Sequence, residues 1–150
     1  MAETLGSLCD KLTIVKLKQW HARDRVRVKS LARQEIQLQE EIDCFIVDTY
    51  NGKINEDRLR FDANKVYKKK GNTVAAVSGK MGKVISQLAD ANCRLWHEQE
   101  KVYDFDQVPD TEKGVVVKKL AVLNLERNHC IEAIDRNFYQ EVIRRRKKKK

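Results

Sequence analysis

The sequence predicts an all-α protein, built as an antiparallel bundle of three long helices and one short helix. The 150-residue chain combines 35% charged with 41% apolar residues, a balance typical of long helices with an exposed face. One Pro and six Gly are too few for the many tight turns of a strand-rich sandwich. From Val74 onward, apolar residues recur every seven positions, which is the spacing of a coiled-coil seam.

The first long helix is predicted over residues 4 to 49, a stretch without Pro and, after Gly6, without Gly. We expect either one helix about 60 Å long or two helices broken near residue 30. An Asn-Gly turn follows residue 50, and it separates this stretch from a short helix that begins at Asn55.

The remaining long helices are predicted from Thr73 to Tyr103 and from Thr111 to Arg145, joined through Pro109. No segment of the chain alternates apolar and polar residues for long enough to predict a sheet. The seam of the first of these helices consists of Val74, Met81, Leu88, Leu95 and Val102, with Val77, Val84 and Ala91 in the partner row.

Two segments of the chain repeat each other. Leu12–Val26 aligns without gaps with Leu88–Val102, so that one Trp-His pair falls on the other. Because the chain has only two Trp and three His, this match predicts a duplicated helical hairpin, with a chance similarity of the two segments as the alternative. The histidines either face each other as acid–base or metal-binding groups or, as the helical wheel favours, point to solvent.

The basic residues are concentrated at the end of the chain. The net charge is +9, from 31 Lys and Arg against 22 Asp and Glu. We predict one helical domain over residues 1–143 and a disordered tail over residues 144–150, which carries most of this excess. The tail consists of Arg144, Arg145, Arg146, Lys147, Lys148, Lys149 and Lys150.

Three segments resemble a family of helical proteins of unknown function from bacteria and their phages. They are Leu8–His21, with D-K-L-T-I and W-H, Asn92–Glu100, with N-x-x-L-W-H, and Leu123–Asp135, with L-N-x-x-R-N-x-x-I-x-x-I-D. The resemblance implies a helical fold and a shared lineage. The chain departs from the family pattern at Lys16, where an Asn is common, and in its basic tail, and either departure implies a changed ligand or partner.

Several polar residues interrupt the apolar rows of the predicted helices. Arg127 falls on the seam of the fourth helix, and a buried Arg needs a counter-ion, for which Asp10 and Glu100 are the candidates. One interpretation is a pocket that binds a phosphate-like or sugar-like ligand, with Asp10 and Glu100 as acid–base groups. The other is an internal network that fixes helix register. The predicted ligand-binding residues are Asn92, Asn124, Arg127 and Asn128.

Other sequence features bear on compartment and chemistry. The four cysteines are far apart in apolar helical stretches, so we expect buried, reduced thiols in a soluble, cytoplasmic protein. Cys93, His97, His129 and Cys130 have metal-like spacing, but adjacent residues on a helix point about 100° apart, which disfavours a zinc site. No nucleotide-binding or hydrolase motif is present, and we predict no metal and no cofactor.

The first predicted helix is basic in its middle and acidic towards its end. An antiparallel second copy would pair cations with carboxylates along its length, so we expect a homo-oligomer, with a dimer as the favoured form; a merely solvated face is the equal alternative. The cations are Arg23, Arg25, Arg27, Lys29 and Arg33, and the carboxylates are Glu35, Glu40, Glu41, Asp43 and Asp48.

These features favour a non-enzymatic binding or scaffold protein whose tail contacts nucleic acid or another polyanion without sequence specificity. The alternative is a small enzyme or metabolite-binding protein that uses a polar pocket centred on Arg127.

Overall fold

The computed structural model of the chain describes residues 3–61 and 74–148. Within these ranges the secondary structure is helical, without strands, and the predicted all-α bundle is confirmed. Two single 3-10 turns accompany the longer helices, at Glu56–Arg58 and Phe105–Gln107. The four α-helices are α1 (Leu5–His21), α2 (Arg25–Tyr50), α3 (Met81–Tyr103) and α4 (Asp110–Lys148).

The first predicted helix is in fact the antiparallel pair α1 and α2. The break lies at Ala22–Asp24, and not near residue 30, because the Asp24 carboxylate caps α2 by accepting the N–H of Arg27 at 2.8 Å. Glu35 on α2 then accepts hydrogen bonds from Lys16 and Gln19 on α1. The bundle therefore has four long helices in the described residues, where the sequence predicts three.

The short helix predicted after Asn55 is described only at its beginning. The 3-10 turn Glu56–Arg58 occupies this position, and it is followed by Leu59, whose side chain is fully buried. The rest of the predicted helix falls on residues 62–73, outside the described residues.

The seam predicted for α3 is confirmed within the helix and shortened at its start. Val84, Leu88 and Ala91 are fully buried against α4 and its neighbours, whereas Leu95 is half-buried. Val74 precedes the helix, which begins at Met81 because Gly79 has a φ of 122°, a backbone conformation that ends any helical run before it.

The N-terminus of α1 lies directly against α4. The N–H of Gly6 donates a 2.7 Å hydrogen bond to the buried carboxylate of Asp135, and a Cβ at this position would overlap the carbonyl oxygen of Ile131. Glycine is therefore required at the closest approach of the two helices, and this contact positions α1 for the polar residues one turn further along.

Residues 144–148 continue α4 as a helix, where the sequence predicts disorder. The Arg146 guanidinium donates to Glu56 at 2.6 Å and to the Thr49 carbonyl at 3.2 Å, and Arg145 lies 4.6 Å from the ring centre of Tyr50. These contacts with the end of α2 hold the last turns of α4 in place. Lys149 and Lys150 lie outside the described residues.

Candidate functional site

A buried polar cluster lies where α1, α3 and α4 meet. Asp10, on the buried side of α1, accepts a 2.7 Å hydrogen bond from Arg127 Nε, and its second oxygen pairs with a terminal nitrogen of the same guanidinium. Asn92 on α3 donates to Asp10 at 2.9 Å and to the Thr13 hydroxyl at 2.8 Å. The structure thus brings together three of the predicted site residues, Asp10, Asn92 and Arg127.

The geometry identifies Asp10 as the counter-ion of Arg127. The pair is bidentate, the strongest arrangement between a guanidinium and a carboxylate. The hydrogen bonds that Arg127 donates to Asp10, opposed by burial, raise the pKa of Arg127 above its ordinary value. Because 29% of the Arg127 side chain stays exposed, the guanidinium reaches the surface, but an anionic ligand would have to compete with Asp10 for it.

A groove of about 650 Å³ runs beside this cluster between α1, α2 and α4. Its walls mix cations with carboxylates, and one such pair, Lys11 and Glu3, is joined at 2.7 Å. Asn128, another predicted ligand residue, lines the groove next to Arg127. The groove is therefore open to solvent and close to electrically balanced, rather than a cavity of one charge.

Two predicted site residues lie outside this cluster. The Asn124 amide donates back to the Leu120 carbonyl of its own helix at 3.1 Å. Glu100 lies two turns beyond Asn92 on α3, about 12 Å along the helix axis, and accepts a 2.9 Å hydrogen bond from the Trp96 indole. Asp10 and Glu100 consequently do not face a common site, as an acid–base pair would have to.

The two Trp-His pairs occupy different environments. His21 stacks on Trp96, with 4.7 Å between ring centroids and 18° between planes, and both His21 and His97 approach Glu100. Trp20 is 87% exposed, and the His97 side chain is 68% exposed. The histidines thus do not face each other as equivalent groups. The stack across α1 and α3 is a contact that no spacing within either helix reveals.

Burial shifts the pKa of one carboxyl group and of two thiols. Burial raises the pKa of the Asp135 carboxyl to about 6, although hydrogen bonds from Gly6 and Thr4 lower it. Burial also raises the thiol pKa of Cys9 and of Cys130 to about 11. Cys130 is buried as expected and Cys9 is half-buried, whereas Cys44 and Cys93 are exposed, contrary to expectation.

Two groups of ion pairs between α3 and α4 were not predicted from the sequence. Glu98 is buried and binds Lys101 and Lys119, and Glu126 is buried and binds Arg94. Burial raises the Glu98 pKa, but the hydrogen bonds from Lys119 and Lys101 prevail and lower it overall. A charged residue on an otherwise polar helix row gives no sequence signal of burial, so only the packing of α3 on α4 reveals these pairs.

The cationic end of α4 divides into anchored and free residues. Arg144 and Arg145 bind Glu141 at 2.6 and 2.8 Å, and Arg146 binds Glu56. Lys147 and Lys148 are exposed and have no hydrogen-bond or ion-pair partner in the part of the chain that the structure describes.

Comparison of the chain with models of protein families, with curated proteins and with solved structures finds no match. The resemblance to the bacterial and phage family therefore stays a prediction. Among the residues that the structure describes, no helix has the length and apolarity to cross a membrane, and no group of three or more His, Cys, Asp or Glu side chains could hold a metal ion.

Proposed function

We propose that the chain is a non-enzymatic helical binding protein that contacts a polyanion through the C-terminal end of α4, without sequence specificity. The observation that carries the proposal is the run Arg144–Lys148, five consecutive cations that extend a helix. Within the described residues, only Glu141 and Glu56 pair with them. The end of α4 consequently keeps an excess of positive charge.

The helical form of this end favours binding. The C-terminus of a helix carries a partial negative charge, which stabilises cations in the last turn. Arg145 and Arg146 fix the direction of the helix through Tyr50 and Glu56. Fewer side chains and backbone bonds then need ordering when a polyanion binds than in a disordered tail.

The charge pattern accounts for the absence of sequence preference. Lysines act as point charges towards phosphates and neutralise them whatever the base, so counter-ion release dominates the affinity. Lys147 and Lys148 project into solvent from the end of the helix, and Lys149 and Lys150 follow in the sequence.

The buried groups favour a binding protein over an enzyme. The thiols of Cys9 and Cys130 have pKa values near 11 and are protonated at neutral pH, so they are poor nucleophiles. Asp10 is fully engaged by Arg127 and Asn92. The polar cluster around Asp10 therefore serves the internal structure of the bundle.

The proposal is tested by measuring binding to a short labelled DNA strand, to a mixed-sequence duplex and to anionic vesicles as salt is raised from about 50 to 200 mM. Lys147→Gln/Lys148→Gln should lower the slope of log K against log salt by about 1.5 to 2. Lys80→Gln/Lys118→Gln, an equal charge change at exposed lysines elsewhere, should leave the slope unchanged. Equal effects of both variants, or no binding by the wild-type chain, would refute the proposal.

The groove beside Arg127 supports a second candidate, the binding of a phosphorylated or sugar-like metabolite. The observation that favours it is the partly exposed Arg127 guanidinium at the groove wall, together with Asn128 and Lys18. A thermal-shift screen of nucleotides and sugar phosphates tests it. Asn128→Ala and Lys18→Ala should remove any ligand-induced shift without disturbing the Asp10–Arg127 pair. A shift that survives both substitutions would exclude this groove.

A further inference from the structure

The outward face of α2 carries an ordered sequence of charges without ion-pair partners among the residues that the structure describes. α2 packs mainly on α1, and the opposite side of the helix is exposed. Along this exposed face, cations come first, Ile36 lies in the middle, and carboxylates follow. In chain order, the face consists of Arg25, Lys29, Arg33, Ile36, Glu40, Asp43 and Val47.

The apolar residues of this face are unusually exposed. Ile36 is 56% exposed and Val47 is 54% exposed, whereas Leu31 on the same helix is buried and Ile42 and Phe45 are half-buried. Among the described residues, none of the charged side chains of the face has an ion-pair partner, whereas Glu35 on the α1 side is paired with Lys16. Over residues 3–61 and 74–148, the face is therefore without a partner for its charged residues, and its apolar residues are exposed.

The charges of this face destabilise α2 when the helix has no partner. Arg25, Lys29 and Arg33 follow each other at i and i+4, a spacing at which like charges repel. The cations lie in the half nearest the helix N-terminus and the carboxylates in the half nearest its C-terminus, which is the unfavourable order for the helix dipole. The first turn has no acidic residue and the last turn no basic one. A partner of complementary charge would relieve both effects.

We propose that this face binds a second copy of the same chain, with the two α2 helices antiparallel and crossing near Ile36. A two-fold axis at this point places Ile36 against its own copy. The same alignment sets Lys29 opposite Asp43 and Arg33 next to Glu40, in both directions. The basic half of each helix thus faces the acidic half of the other, and the N-terminus of each helix lies beside carboxylates.

The acidic half of the face selects this partner over a polyanion. Glu40 and Asp43 lie on the same exposed face as Lys29 and Arg33, so a nucleic acid strand laid along α2 would meet repulsion over half its length. A self-complementary face is also what a two-fold dimer requires, since the same surface serves both copies. Exposed ion pairs are weak and screened by salt, so the dimer should dissociate as salt is raised.

The test is sedimentation velocity of the full chain at low and high salt, without nucleic acid. The wild type should self-associate at low salt and dissociate at high salt. Lys29→Glu/Arg33→Glu leaves Arg25 as the one cation of the face and should weaken self-association at least about tenfold. Glu40→Lys/Asp43→Lys makes all charges of the face basic and should have the same effect. An equimolar mixture of these two variants should form a heterodimer, because each supplies the charges that the other lacks.

Each outcome of the sedimentation experiment decides whether this face of α2 forms the dimer. A wild type that stays monomeric at low salt overturns the proposal, as do reversed-charge variants that associate like the wild type, since the dimer would then use another surface. Circular dichroism of each variant monitors folding, and recovery of association in the mixture shows that both variants are folded. Since no polyanion is present, this result is independent of the proposed binding by the end of α4.

Discussion

Gly6 and Asp135, which are 129 positions apart in the sequence, are joined by a 2.7 Å hydrogen bond from the backbone N–H of Gly6 to the Asp135 carboxylate. The carboxylate is buried at the N-terminus of α1, where free N–H groups favour a negative charge. Together with the Asp10–Arg127 pair one turn further along, this contact attaches the first helix of the bundle to the last.

Replacement of Gly6 by Ala should destabilise the fold by about 1–3 kcal/mol, because the new Cβ overlaps the Ile131 carbonyl and crowds Asp135. Urea denaturation monitored by circular dichroism measures the change. Gly114→Ala is the matched control, since nothing lies within 4 Å of a Cβ there, and it should stabilise α4 by about 0.5–1 kcal/mol. Equal effects at the two positions would contradict the close approach at Gly6.

Replacement of Asp135 by Asn should make the variant increasingly stable relative to the wild type as pH rises. The folded-state pKa of Asp135, about 6, lies above its ordinary value of 3.8. This carboxyl therefore stabilises the wild type most below pH 3.8, and that contribution is lost as pH rises through 6. The difference in unfolding free energy between variant and wild type should change by about 2 to 2.5 kcal/mol between pH 4 and 7.5. A difference that stays constant with pH would argue against a buried, titrating Asp135.

Removal of the Arg127 guanidinium in Arg127→Ala should cost about 3 kcal/mol, because it leaves the buried Asp10 carboxylate without its counter-ion. Combining it with Asp10→Ala should cost much less than the sum of the single changes, and a double-mutant cycle measures this coupling. Lys16→Ala, which breaks the exposed pair with Glu35, should cost under about 1 kcal/mol. Additive effects at residues 10 and 127 would show that the pair is not coupled in solution.

Two truncations should separate the anchored arginines from the free lysines. A chain ending at Arg146 keeps the contacts with Tyr50 and Glu56 and should unfold at the same denaturant concentration as the full chain. A chain ending at Ile143 loses them and should be less stable by about 2 kcal/mol. If both truncations were equally stable, the last turn of α4 would not be docked as described.

Periodicity predicted the helices because burial of an apolar face imposes it. Val84, Leu88 and Ala91 line the core at the positions that the seven-residue recurrence indicates. The break at Ala22–Asp24 went unpredicted because no Pro or Gly marks it, and it depends on a single capping carboxylate. Helix ends that arise from side-chain capping leave a much weaker sequence signal than those at Gly or Pro.

The polar cluster could be predicted in part, because an Arg on an apolar row must find a counter-ion. Asp10 and Glu100 were the candidates on this ground, and the packing of α1 against α3 and α4 determined the choice of Asp10. The docking of Arg146 on Thr49 and Glu56 could not be foreseen, since it joins residues about 90 or more positions apart within a run of identical charge. Such a run resembles a solvated tail in sequence, whichever of its members are bound.

The attachment of α1 to α4 also constrains how the chain acquires its structure during synthesis. α1 and α2 emerge first, yet Asp10 and the N–H of Gly6 gain their partners only when Arg127 and Asp135 have been translated. Until then, the Asp10 carboxylate has no counter-ion from α4, and the apolar side of the α1–α2 hairpin is exposed to solvent. Assembly of this bundle is therefore a late event, completed when its last helix leaves the ribosome.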